Sequence, residues 1–161
     1  MRIRIFSFLI LIFLISCKKS EVRVNKFIGT WHDTEYIVPG KSSIRINTDS
    51  SFYYKSRGCQ GGSVSNGKWK IIGDSIELNS TTSDSCYKMF PFILCIPFRE
   101  NIKKDVRTIP NCNPDNDTFF AIFSKEVFYM KNDSLIYKLK KNSKCPDTLK
   151  IVFAKTQKIR K

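Results

Sequence analysis

The chain has 161 residues, with 28 Lys and Arg against 14 Asp and Glu, six cysteines and a single histidine. That length suits one domain with its own core better than two. The lone His32 would have to serve any Ser or Cys nucleophile as base and leaves a metal site short of ligands, so neither catalysis nor a metal centre is expected. The basic surplus is scattered lysine, without clustering on one element or interleaved stacking aromatics, so nucleic-acid binding is not expected. It would draw the protein towards lipid phosphates, anionic glycans or acidic partners.

The first element is Met1-Arg2-Ile3-Arg4 followed by an apolar run over residues 5–15 and then Ser16-Cys17. The run falls short of the roughly 18 residues of a membrane-spanning helix, and its basic start is that of an export signal. Leu14-Ile15-Ser16-Cys17 resembles the lipobox of bacterial lipoproteins. The resemblance implies cleavage before Cys17, acylation of that residue by chains such as palmitate, and anchoring to a membrane of the cell envelope. Each buried methylene adds about 0.8 kcal/mol, so a multiply acylated Cys17 would hold the protein permanently. Lys18-Lys19 does not resemble an inner-membrane retention signal, so the outer membrane is the expected location. Residues 1–16 are thus read as a signal peptide and 17–26 as lipidated cysteine and tether. The 28 basic residues less Arg2 and Arg4 leave 26 against 14 acidic ones, a net charge of +12 for the mature chain.

From residue 27 the pattern has period two. Ile44 and Ile46 alternate with Arg45 and Asn47, and Phe52-Tyr53-Tyr54 follows the turn formers Asp49-Ser50-Ser51. Residues 68–72 and 75–78 flank Gly73-Asp74, a short hairpin signal, with Trp69 and Ile71 facing the same side as Ile76 and Leu78. Residues 79–118 read as an insertion. It opens with a Ser/Thr/Asp run, turns apolar over 87–98 and ends in the turn formers of 110–117. Strands resume over 118–123, 127–131, 135–139 and 149–154, and a basic tail follows over 156–161. Many short strands and no helical period predict an all-β fold, a small antiparallel up-and-down barrel over 27–155 that removes its own edges by closing.

Phe27-Ile28-Gly29-Thr30-Trp31 resembles the Gly-x-Trp opening of lipocalin-like domains, in which the tryptophan caps one end of the barrel. In lipocalin-like domains of bacterial envelope lipoproteins the opening is followed by an apolar strand, a polar turn with an aromatic strand, and a Gly-x-Trp strand ending in a Gly-Asp hairpin. Those pieces are here residues 44–47, 49–54 and Gly67-Lys68-Trp69 through Gly73-Asp74. The likeness covers 27–79 and, more loosely, 118–155. It implies an arginine over the first tryptophan, for which Arg160 is the candidate, and a small apolar or amphipathic ligand held near Trp31, Trp69, Phe90 and Phe92. The alternative is a non-catalytic interaction, assembly or inhibitor protein whose barrel is filled by side chains and whose insertion and basic surface dock an envelope protein.

With Cys17 assigned to the anchor, Cys59, Cys86, Cys95, Cys112 and Cys145 remain, an odd set for an oxidising compartment. Two disulfides and one free thiol is the simplest sum, and the pairing is open. At least one bridge is expected to pin the insertion, contributing about 2–4 kcal/mol. Tyr87, Met89, Phe90, Phe92, Ile93, Leu94, Ile96 and Phe98 carry too much apolar surface for a free loop. Barrel core, partner protein or lipid could cover it, an intramolecular strand locked by Cys86 or Cys95 being favoured. Gly58-Cys59-Gln60-Gly61-Gly62 lacks the Lys-Ser/Thr of a phosphate loop and reads as a hairpin tip.

Overall fold

A computed structural model describes residues 26–35, 40–58, 61–95, 106–114 and 117–156. Ten strands run along the chain: β1 (Gly29–Glu35), β2 (Gly40–Ile46), β3 (Ser51–Gly58), β4 (Gly61–Ile72), β5 (Ser75–Ser80), β6 (Lys88–Pro91), β7 (Thr118–Ile122), β8 (Glu126–Lys131), β9 (Ser134–Lys138) and β10 (Val152–Ala154). No helix occurs among the described residues.

Eight of these strands close into a ring in the order β1-β2-β3-β4-β5-β8-β9-β10, each antiparallel to the next, with β10 returning to β1. This is the antiparallel up-and-down barrel that period two predicts. The alternation sorts the faces: Ile44 and Ile46 of β2 and Phe52 and Tyr54 of β3 are buried, while Arg45, Tyr53 and Lys55 between them are exposed. The turns follow from local chemistry. Asp49 Oδ1 accepts from the backbone N–H and the hydroxyl of Ser51, an Asx turn that lets Ser50 take a φ of 62°. Asn132 and Asp133, at φ 48° and 56°, form the two-residue β8–β9 turn, whose left-handed residues match the strand twist. Gly67 is required by space, because a Cβ there would lie 2.0 Å from the Asn79 carbonyl oxygen and 2.7 Å from the Phe52 ring.

The insertion is more ordered than its composition suggests. At 12 residues β4 outruns β5, which pairs only with its stretch 67–72. The unpaired remainder of that edge is taken by β7, parallel to residues 62–64, so the 118–123 strand lies outside the eight-stranded ring instead of resuming the barrel. The join is closed by Ser80, whose N–H donates to the Phe123 carbonyl and whose hydroxyl accepts from the Phe123 N–H. Outside β7 lies β6, also parallel, and its far edge is zipped to residues 106–108 by Met89 N–H to Val106 O and Thr108 N–H to Tyr87 O. The last barrel strand is shorter than the 149–154 pattern predicts: Leu149 turns back on Pro146, and regular pairing begins at Ile151–Val152.

Both described disulfides hold this region. Cys86–Cys112 closes the insertion on itself, and Cys95–Cys145 ties it to the β9–β10 connection. Cys59 and Cys17 lie outside the described residues. The core is dominated by aromatics, with Phe27, Trp31, Phe52, Phe123, Phe128 and Phe153 almost wholly removed from water. Strand direction defines two ends. At one, β1 starts and β10 stops, so the chain enters and leaves there; we call it the tether end. The insertion, the β3–β4 hairpin and the β9–β10 connection gather at the other, the insertion end.

Candidate functional site

At the insertion end the barrel is entered by its own chain. The Phe92 N–H donates to Ile122 O, which sends the side chain inward just past the end of β6. Its ring stacks on Phe123 at 4.2 Å and meets Tyr54, Tyr137 and Phe128 at 5.5, 5.9 and 6.0 Å. Phe92 is 5% exposed and belongs to the continuous apolar core. Phe90 is half-buried beside it, packed edge-on against Phe119 of β7 at 5.5 Å.

The two tryptophans occupy the opposite end. Trp31 is fully buried and donates its indole N–H to the Phe27 carbonyl at 2.7 Å. Trp69 donates to the Asn47 carbonyl at 3.0 Å, tying β4 to the β2–β3 turn. Both polar tips are thereby satisfied inside the core. A cation does sit over Trp31, and it is Lys155, with Nζ 5.2 Å from the ring centroid; Arg160 lies outside the described residues. The four side chains singled out from the sequence thus divide into a tryptophan pair at the tether end and a phenylalanine pair at the insertion end.

Between Phe92 and the strand ends lies a polar layer that the sequence reading passed over. Tyr137 Oη donates to Glu126 Oε2 at 2.7 Å, and Lys140 Nζ donates to Glu126 Oε1 at 2.5 Å and to Ser124 O at 2.7 Å. Burial, then the hydrogen bond to Glu126 and its charge, push the Tyr137 hydroxyl well above the usual phenol range. Ser42 pairs with Ser56 at 2.8 Å and Ser65 with Ser80 at 2.7 Å. The signal for Glu126 was parity: it shares a face with Phe128, and an acid at an inward strand position needs partners. Both Glu126 carboxylate oxygens are engaged, one by Tyr137 and one by Lys140. His32 lies on β1 opposite Ser43 and Ala154, half-buried. Among the described residues no three His, Cys, Asp or Glu gather where they could hold a metal ion.

The rim outside the Phe92 plug has its own character. Leu94 and Val106 are 43% and 49% exposed, with Ile109 nearby in sequence also open. Around the same end Lys41 and Arg57 are cross-strand neighbours, and Lys88, Lys141, Lys144 and Lys150 are exposed. No protein-family model, curated protein or solved structure matches this chain.

Proposed function

We propose that this is a lipid-anchored, lipocalin-like envelope protein that works without catalysis, through its surface, docking an acidic protein partner at the insertion end. The observation that carries this reading is Phe92: the place where a hollow barrel would hold a ligand is filled by the chain's own aromatic ring. A lipocalin-like origin is supported by the Gly29-Thr30-Trp31 opening, the up-and-down strand order and the cation over Trp31. Anchoring is supported by Leu14-Ile15-Ser16-Cys17 and the preceding apolar run. The surface role is supported by exposed apolar Leu94 and Val106 together with exposed lysines at the same end, since apolar side chains left in water among charged ones are the composition of a docking site.

In the other reading, a carrier of small apolar ligands, Phe92 would have to withdraw before anything could enter. An apolar fluorescent probe titrated onto the oxidised protein separates the two. The docking reading predicts no saturable binding to the wild type and one-to-one binding once Phe92→Ala vacates the mouth. Saturable one-to-one binding by the wild type, with quenching of tryptophan emission, would replace docking with ligand carriage.

A further inference from the structure

The tether end carries an exposed apolar pair that the docking reading leaves unused. β1 begins with Gly29 opposite Ile46, the last residue of β2, and β10 ends with Ala154 opposite Ser134, the first of β9. Chain entry and exit therefore share one end with the turns at 47–50, 73–74 and 132–133. The β4–β5 hairpin outreaches the β2–β3 turn. Trp69 N–H donates to Ser50 O, so β4 is level with that turn at Trp69 and continues through Lys70, Ile71 and Ile72. The sequence pattern assigns Ile71 to the buried face beside Trp69, opposite Ile76; Ile76 is buried, but Ile71 and Ile72, the last two residues of β4 before the turn, are each 37% exposed.

Basic side chains share this end with Asp49, Asp74 and Asp133 of its three turns. Lys70 is 63% exposed, bridged to Glu77, and Lys131 is exposed at the β8–β9 turn. Lys26 and Lys155 mark chain entry and exit, with their ammonium groups over Phe27 and Trp31. Beyond the exit the sequence continues through Lys158, Arg160 and Lys161. Only residues 18–25 separate Cys17 from Lys26, and that much chain spans no more than about 30 Å fully extended. An anchor at Cys17 would hold this end next to the bilayer at high effective concentration, where even a small apolar contact is populated.

We infer that the tether end rests on the lipid surface, with Ile71 and Ile72 of the β4–β5 hairpin dipping below the headgroups and the lysines of the same end meeting lipid phosphates. This rests on the reading of Cys17 as acylated. It turns the Phe92 plug, the disulfides and the basic rim away from the bilayer, where a partner can reach them.

The test uses the full-length acylated protein in phosphatidylethanolamine–phosphatidylglycerol vesicles with brominated acyl chains, comparing Ile72→Trp and Leu94→Trp against the wild-type baseline of Trp31 and Trp69. Added emission at 72 should be blue-shifted, lose most of its intensity to the brominated chains and be shielded from iodide, whereas emission at 94 should be quenched by iodide alone. Ile71→Trp gives the same readout from the adjoining position, so a folding defect in one variant does not hide the result. Iodide-accessible, bromine-insensitive emission at 71 and 72 in protein whose intact mass includes the acyl chains overturns the orientation and leaves the anchor standing. So does shielding at 71 and 72 that accompanies dimer formation and persists without lipid. A mass without acyl chains removes the anchor and the orientation together.

Discussion

Phe92 comes from a stretch dense in aromatics, yet among the described residues 87–95 it is the one fully drawn into the core, because the register of β6 on β7 places its N–H on Ile122 O. Truncating a buried phenylalanine costs about 3–5 kcal/mol when the surroundings cannot collapse, and the rigid ring of Tyr54, Phe123, Phe128 and Tyr137 should resist collapse. Phe92→Ala is therefore expected to lower stability by about that amount in urea titrations; a loss below about 1 kcal/mol would mean the mouth is loosely filled. Tyr137 carries a pH signature. Its hydroxyl is held protonated in the folded state, so the stability this contributes is fully present below about pH 10, where a free tyrosine begins to ionise, and is lost as pH rises through the higher folded value. Tyr137→Phe should cost about 1–3 kcal/mol at neutral pH, because buried Glu126 loses a donor. It should also flatten the alkaline decline in urea midpoint above about pH 10, and parallel declines in the two proteins would contradict the assignment. At this scale the tryptophans were legible, since large aromatics on alternating strands rarely stay outside. Phe92 was not, because which of several neighbouring aromatics turns inward depends on a pairing partner some 30 residues away.

The hairpins β2–β3, β4–β5 and β8–β9 are local objects, and each was readable from period-two alternation around a short turn. The insertion is not local. Its strand β6, and β7 that follows it, pair in parallel because β4 is longer than β5 and presents a free edge, a fact about strand lengths that no window of sequence contains. Nor can spacing choose among disulfide pairings. Those found do different work. Cys86–Cys112 closes a separation of 26 residues and Cys95–Cys145 one of 50, for which chain-entropy estimates give about 3.5 and about 4 kcal/mol. Replacing Cys95 and Cys145 by alanine should release the segment after Phe92, raising amide exchange across β6 while the eight-stranded ring stays protected. Exchange that rises uniformly around the barrel would show that the insertion and ring unfold as one unit.

For the whole molecule the two ends take different roles in the proposed reading, one towards the anchor and one carrying the plugged, disulfide-held rim. The barrel class was open to sequence because closure is the common solution for many short antiparallel strands. The division of the ends was not, since Ile71, Ile72 and the chain termini come together only once the strand order is known. The net charge of +12 predicts that mature protein lacking the Cys17 anchor associates with phosphatidylglycerol vesicles at low salt and loses most of that association above physiological ionic strength, where screening shortens to about 8 Å or less. Association indifferent to salt would leave the lysines without a role at the membrane. The filled interior is tested most directly by native mass spectrometry of full-length protein drawn from its own membranes, compared with the mass of the acylated chain. That mass alone, with no adduct, is the expected outcome; a discrete additional mass surviving gentle activation would mean that Phe92 yields to a ligand and that the barrel is a carrier.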